Sequence, residues 1–313
     1  MGWRTMDELT LPDGLTARTL THDDAPAVYE VAAAQERADV GKVEIELADI
    51  VSDWSRPSWD VTSSTVGVLD GSRIVAYAEL IGSGRSDAAV HPDYRRRGIG
   101  TALAGWVRDR ARARGWPEVG APVPQGSVGD VLLEKLGYRV RWTSWVLDLP
   151  EGAEIQQRDL PDGYTIRAAE PVEYPAVHDV VEDAFLEWSD RDRQSYDDFE
   201  AAVVGRPGFE PWNLRVVVDA GGEVVGVALV LMFEDAAAES PTKEAFIDRL
   251  AVRRDQRHRG LAQALLVDAF AQGRARGAVR QALSTDSRTG ALSLYEKVGM
   301  QVGDVWVNRG ISL

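Results

Sequence analysis

The sequence predicts an α/β protein made of two tandem copies of one domain, each a mixed sheet flanked by helices. Three observations carry that reading. Residues 90–103 read VHPDYRRRGIGTAL and residues 252–265 read VRRDQRHRGLAQAL, with Val, Asp, two Arg, Gly, Ala and Leu in the same places. The match continues on both sides: Pro12-Asp13-Gly14 answers Pro161-Asp162-Gly163, Pro26-Ala27-Val28 answers Pro175-Ala176-Val177, and Glu134-Lys135-Leu136-Gly137 answers Glu296-Lys297-Val298-Gly299. A repeat of this length is a duplicated domain, not a solenoid unit. The chain of 313 residues also has the length of two ordinary domains, expected at 1–150 and 151–313 with the boundary in the polar stretch 150–161.

The elements of the second copy follow in order. Residues 163–168 read as a strand. Residues 171–187 read as a helix, with Val177, Val180, Val181, Ala184 and Phe185 at helical spacing, and residues 190–204 as another. Two apolar runs, 214–218 and 224–233, flank Asp219-Ala220-Gly221-Gly222 and predict a hairpin. Residues 245–252 form a strand, 260–276 an amphipathic helix stopped by Gly277, 282–285 a strand, 290–298 a helix, and 302–308 a closing strand. The first copy reads alike, with a hairpin turn at Asp70-Gly71 and a helix over 101–114. The offset between copies grows by 12 residues around 232–243, which localises an insertion there. Its stretch Glu234-Asp235-Ala236-Ala237-Ala238-Glu239-Ser240 is a candidate lid, or an ordinary acidic loop.

Composition excludes several classes. The formal net charge of −15 argues against nucleic acid as a partner, because such binding rests on a basic surface, and mildly favours a cationic substrate such as an amine. Arg108, Arg110, Arg112 and Arg114 fall on opposing faces of a helix and read as surface charges near its C-terminus. With no cysteine there is no disulfide, thiolate metal site or cysteine nucleophile, and His22, His91, His178 and His258 lack paired ligand spacing, so no metal is expected. No apolar run of about 18 residues occurs, and MGWRTMDELT has no signal-peptide core. The expectation is a cytoplasmic protein with no membrane partner.

A strand, a basic glycine turn and a helix together form an anion cradle, in which free backbone N–H groups and the helix dipole meet a phosphate. Neither G-x-G-x-x-G nor G-K-[ST] occurs here, which sets aside dinucleotide-binding and P-loop folds. Arg95-Arg96-Arg97-Gly98-Ile99-Gly100 and Arg257-His258-Arg259-Gly260-Leu261-Ala262 instead resemble the acyl-CoA-binding motif of the GNAT N-acyltransferase superfamily. Ala291-Leu292-Ser293-Leu294-Tyr295-Glu296-Lys297-Val298-Gly299-Met300 resembles its second signature, a helix with a Tyr before a Gly and a bulky apolar residue. The layout is similar to actinobacterial tandem acetyltransferases of the mycothiol synthase type. The resemblance implies two tandem GNAT-type domains, each a mixed, mostly antiparallel sheet flanked by helices. It also implies acetyl-CoA as cosubstrate, no metal, and acetyl transfer to a primary amine of a small molecule by direct attack. A non-catalytic acyl-CoA sensor is the alternative. Monomer and homodimer both remain open.

The resemblance assigns roles by position. In the second copy, the strand Arg249–Val252, with Leu250, Ala251 and Val252, resembles the family's bulged strand, which would pair with the pantetheine amides and aim a backbone N–H at the thioester carbonyl. Gly260 would let the backbone approach the phosphates and Ala262 would be small enough for the place Gly100 takes in the first copy, while Arg257 and Arg259 would add charge. In the first copy Val90 and residues 95–100 take these places. Tyr295 stands where the family protonates the leaving thiolate; the bland alternative is a core aromatic. Leu133 occupies that place in the first copy and cannot donate a proton, so the second copy is expected to be the catalytic one. Asp248, read as sharing a strand face with Leu250 and Val252, is the candidate base, with Glu244 further out on that face; a salt bridge is the alternative for either. Where many members carry Asn seven residues before the Tyr, this chain has Arg288; Ser287 or Thr289 could replace that contact, or Arg288 could reach a phosphate. The acceptor is expected against Phe185, Glu187, Trp188, Asp190 and Asp192.

Overall fold

The computed structural model describes residues 9–82, 84–234 and 242–313; the candidate lid lies outside them beyond Glu234. The chain divides into an N-terminal unit, Met1–Thr143 with Val305–Leu313, and a C-terminal unit, Ser144–Asp304.

The N-terminal unit contains, in chain order, β1 (Leu15–Arg18), α1 (Ala25–Asp39), α2 (Leu47–Trp54), α3 (Val61–Ser64), β2 (Thr65–Asp70), β3 (Arg73–Ile81), β4 (Arg85–Val90), α4 (Ile99–Ala113), β5 (Glu118–Pro124) and α5 (Val128–Lys135). The next strand, β6 (Arg139–Asp148), begins here and ends in the C-terminal unit. That unit continues with β7 (Thr165–Ala168), α6 (Tyr174–Phe185), α7 (Tyr196–Phe199), β8 (Leu214–Val218), β9 (Val224–Glu234), β10 (Lys243–Val252), α8 (Leu261–Ala275), β11 (Arg280–Asp286) and α9 (Leu292–Lys297), and the chain ends with β12 (Gln301–Ser312).

In each unit the sheet lies between two apolar layers. In the C-terminal unit the strands run β6-β11-β10-β9-β8-β7, antiparallel except for β10 beside β11. On one face α8 buries Leu261, Leu265, Leu266, Ala269 and Phe270 with Ile247, Val252 and Leu283. On the other, Val177, Val180 and Val181 of α6 and Phe199 of α7 meet Val216, Val227 and Ala251. Each fully buried Leu or Phe contributes about 1.5–3 kcal/mol. Gly273 is required for the close approach of α8, since a Cβ there would overlap that of Ala245. In the N-terminal unit α4 covers one face with Ile99, Leu103 and Val107, and α1 and α2 cover the other with Val28, Val31 and Trp54.

The predicted hairpins form as β2–β3 and β8–β9. The predicted helix over 190–204 is shorter. Residues 190–195 form a loop hung on α6: Arg191 and the Gln194 N–H bind Glu182, and Arg193 binds Asp183 and Asp179. Only α7 and one wide turn, Glu200–Val204, remain helical.

The chain's last strand departs from the sequence reading. Expected to close the second copy, β12 pairs Trp306–Ser312 antiparallel with β5 of the N-terminal unit. The second half of β6 pairs with β11 and completes the C-terminal unit. Side chains give the reason. Arg309 is buried and binds Asp130 of α5 and the Tyr138 carbonyl, whereas Leu147, its counterpart in the repeat, is fully buried in the apolar layer beneath α8. A buried guanidinium needs a carboxylate, which only the N-terminal site supplies.

Among the described residues no helix is long and apolar enough to cross a membrane, and no cluster of His, Cys, Asp or Glu is arranged to hold a metal.

Candidate active site

Two parallel strands that part company make the central feature of the C-terminal unit. β10 pairs with β11 from Glu244–Arg280 to Ile247–Leu283 and no further. On its other side β10 stays paired with β9, but Ile247 faces Val230 and Arg249 faces Leu229, the very next residue, so Asp248 is an extra, bulged residue. Beyond it, the β10 edge facing β11 has no strand partner among the described residues. An open edge inside a fold is a template for an extended ligand with amide groups, and bulges often re-aim side chains beside active sites.

The bulge corrects the expected strand face. Ile247, Leu250 and Val252 belong to the α8 layer, whereas Arg249 sits over the Phe199 ring and Ala251 packs in the α6 layer. Asp248 interrupts the alternation and is hydrogen-bonded to Arg249 at 3.2 Å, so counting by twos from it to Leu250 fails. It remains accessible at 38 % side-chain exposure. Glu244 is half-buried and faces Arg280 at 3.4 Å.

After β10 the chain makes a single turn at Arg254–Gln256 and reaches the cradle. His258 takes a left-handed backbone, φ 64°, and Gly260, φ 79°, caps α8. Arg96 (φ 64°) and Gly98 (φ 89°) repeat this in the N-terminal unit, and Arg96 and His258 are the non-glycine residues of positive φ among those described. Such strain concentrates at functional turns. The helix ladder starts with the Ala264 N–H on the Gly260 carbonyl, so the N–H groups of Leu261, Ala262 and Gln263 have no acceptor within the helix. A phosphate fits such donors.

The motif arginines divide their work. Arg257 is spent on structure: it grips Glu187 with two bonds of 2.8 Å and the Val252 carbonyl at 3.2 Å. Arg95 does the same with Asp39 and the Val90 carbonyl. These residues tie the loop to the segment around the end of α6 or α1, a role that sequence reading missed because Asp39 and Glu187 fall one position apart in the repeat. Arg259 is exposed and donates to the Tyr164 hydroxyl at 3.1 Å. Gly100 is small for packing: a Cβ there would come 2.8 Å from the Leu132 side chain of α5.

Tyr295 projects from α9 and packs, half-buried, against the α8 layer. Its hydroxyl makes no hydrogen bond among the described residues, and burial pushes it up to about 12, so it stays protonated across the physiological range. Arg288 binds Asp286 and lies over the Trp188 ring at 4.9 Å, while the Trp188 and Phe185 rings meet tilted at 5.3 Å. Of the other expected acceptor contacts, Glu187 is held by Arg257, and Asp190 and Asp192 are exposed. Thr289 binds the Thr285 hydroxyl at 2.8 Å.

The N-terminal unit keeps the cradle and the parting of parallel strands, since β4 meets β5 only at Arg85–Gly120, but differs at the other points. β3 and β4 pair without a bulge, which sets Glu79 directly opposite Asp87. Burial, with Asp87 adding to it, pushes Glu79 up to about 8, and the Trp54 indole N–H binds its carboxyl group at 2.9 Å. The Val90 N–H, at the place of Val252, donates to the Gln35 side chain at 3.0 Å. Ala184 stands at the repeat position of Gln35 and has no side-chain acceptor to offer there.

Residues 27–124 and 174–300 each match the acetyltransferase (GNAT) family. The chain belongs to that family, as a tandem of two such domains. It is 32% identical over 255 residues to a mycothiol acetyltransferase of Salinispora arenicola, covering 78% of this chain and 80% of that one. A mycothiol acetyltransferase of Salinispora tropica is 29% identical over 96% of both chains. Among solved structures, a GCN5-related N-acetyltransferase from Sphaerobacter thermophilus superposes with a TM-score of 0.71 at 28% identity, over 97% of each chain. The protein is an N-acetyltransferase of a family that uses acyl-CoA.

Proposed function

We propose that the C-terminal unit transfers acetyl from acetyl-CoA to a primary amine of a small molecule in a ternary complex, and that the N-terminal unit is not a competent transferase. The observation that carries this is the joint presence in one unit of the open, bulged β10 edge and the unpartnered Tyr295 hydroxyl. The other unit has a regular strand, a capped N–H and Leu133.

The open edge of β10 would bind the pantetheine amides, and the N–H groups at the start of α8 the pyrophosphate. The amine lone pair attacks the thioester carbonyl, and a β10 N–H stabilises the oxyanion. Asp248, directly or through water, takes the proton lost by the amine. As the C–S bond breaks, the Tyr295 O–H supplies the proton for the leaving thiolate, so amide and free thiol are the products. The names of the relatives make the amine precursor of mycothiol the first acceptor to try; aminoglycoside-like amines and peptide N-termini follow.

A thiol-release assay with acetyl-CoA and a panel of amines tests the reading. Because the chain has no cysteine, a thiol-reactive dye reports only released CoA. Amine-dependent release that collapses in Tyr295→Phe is the expected result. Release indifferent to that substitution removes Tyr295 as the acid. Acetyl-CoA binding with no release for any amine favours an acyl-CoA sensor.

A further inference from the structure

The connector between the repeats runs over the cradle of the C-terminal unit. Ile155 is buried in the same layer as Leu261 and Leu265, and the Gln263 side chain of α8 donates to the Gln156 carbonyl at 2.6 Å. Tyr164 closes this rim, its hydroxyl donating to Gln256 at 2.7 Å and accepting from Arg259. Between these anchors lies Arg158. A Cβ built on Gly260 would stand 3.3 Å from the Arg158 Cδ, so the arginine stem lies across the glycine that caps α8.

Charge makes the placement informative. In a chain of net charge −15, the neighbouring Arg253 and Arg257 are neutralised by Glu223, Asp255 and Glu187. Arg158 makes no ion pair or hydrogen bond among the described residues, not even with Glu154 or Asp159 nearby in sequence. Arg259 likewise meets a hydroxyl and no carboxylate. Two unneutralised guanidinium groups therefore sit at the mouth of a ring of free N–H donors.

The repeat supplies an internal control. Alignment of Pro161-Asp162-Gly163 with Pro12-Asp13-Gly14 puts Leu9 at the place of Arg158. Leu9 packs on the α4 layer, nothing among the described residues lies within 4 Å of a Cβ built on Gly98, and Arg97 rests over the Tyr94 ring. The rim arginine therefore belongs to the unit with the bulge and the tyrosine.

We propose that Arg158, carried by the connector, binds a phosphate of CoA at the C-terminal cradle and so joins the linker to cosubstrate recognition. The inference rests on the proposed acyl-CoA site. An exposed guanidinium that meets a phosphate gains a charge-assisted bond discounted by solvent, which predicts a change of about three- to ten-fold in affinity.

The test uses the full chain, as wild type, Arg158→Ala and Arg158→Lys, with acetyl-CoA and acetyl-3′-dephospho-CoA. Kd is measured by calorimetry, and kcat and KM by thiol release. The alanine variant is expected to raise Kd and KM about three- to ten-fold with kcat within two-fold and an unchanged Tm, and lysine to restore most of the loss. A loss with acetyl-CoA alone assigns the contact to the 3′-phosphate; a loss with both assigns it to the pyrophosphate. An alanine variant equal to wild type with both ligands overturns the proposal and leaves the acyl-CoA site standing. Wild-type protein that binds neither ligand overturns the site itself.

Discussion

Arg309 lies four residues before Leu313, yet its removal should weaken the N-terminal unit. In Arg309→Met the buried Asp130 keeps only the Gly126 N–H at 2.8 Å and loses its ionic partner. Breaking a buried pair from one side costs about 3–5 kcal/mol. Glu134, exposed and 3.4 Å from Arg309, adds little. Adding Asp130→Asn should recover a large part of that cost, because a neutral group no longer needs a cation. Hydrogen exchange read peptide by peptide is the assay. Faster exchange should appear across β5 and α5, residues 118–135, while β8 to β10 keep their protection. Exchange that rises instead in β10 and β11 would mean that β12 belongs to the C-terminal unit, and would refute the reasoning.

Three further outcomes follow from the site. Gly260→Ala, at φ 79°, should cost about 1–2 kcal/mol of backbone strain and raise the KM for acetyl-CoA, whereas Gly98→Ala, at φ 89°, should carry the strain but leave turnover intact; steady-state kinetics and Tm on both variants check this. Asp248→Asn should lower the rate and move its pH profile upward, since the amine must then lose its proton unaided, and an unchanged profile removes Asp248 as the base. Glu79, raised from an ordinary 4.5 to about 8, holds a proton in the fold that it lacks when unfolded, so its contribution is complete below pH 4.5 and is lost as pH rises through 8. Glu36, raised by burial to about 7, acts in the same direction. Glu79→Gln should therefore gain on the order of 5 kcal/mol relative to wild type at pH 9 and little at pH 4.5, read from urea unfolding at the two pH values.

What was legible in the sequence was what local pattern determines. Gly260 before an apolar period of 3.6 gave the start of α8, and Asp219-Ala220-Gly221-Gly222 between β-branched runs gave the β8–β9 turn. The bulge was expected only from the family resemblance of Arg249–Val252 and not from pattern, because Phe246-Ile247-Asp248-Arg249-Leu250 reads as an ordinary strand until its partner's register is known. The strand exchange was hidden for a related reason: period-two alternation identifies a strand but not its neighbour. The loop over 190–195 was misread because Asp190-Arg191-Asp192-Arg193-Gln194-Ser195 holds no glycine or proline to break a helix, while Arg191 and Arg193 are fixed by carboxylates on α6. The arginine motif was found, but its first arginine serves as an anchor in both copies.

The two units show which part of the site is architectural and which is chemical. Both keep the left-handed turn and the capping glycine, at a backbone cost of about 1–2 kcal/mol for Arg96 and His258 alike. A cost retained in a unit without the catalytic groups is explained by the packing of the turn between strand and helix. The differences gather instead at the edge of the central strand: bulge against regular ladder, Ala184 against Gln35, Tyr295 against Leu133. Each difference alone is a small change, but together they remove the backbone donor, the re-aimed side chain and the acid from one copy. The arginine–glycine loop and the parted strands therefore report the fold, and the bulge with its tyrosine reports the reaction.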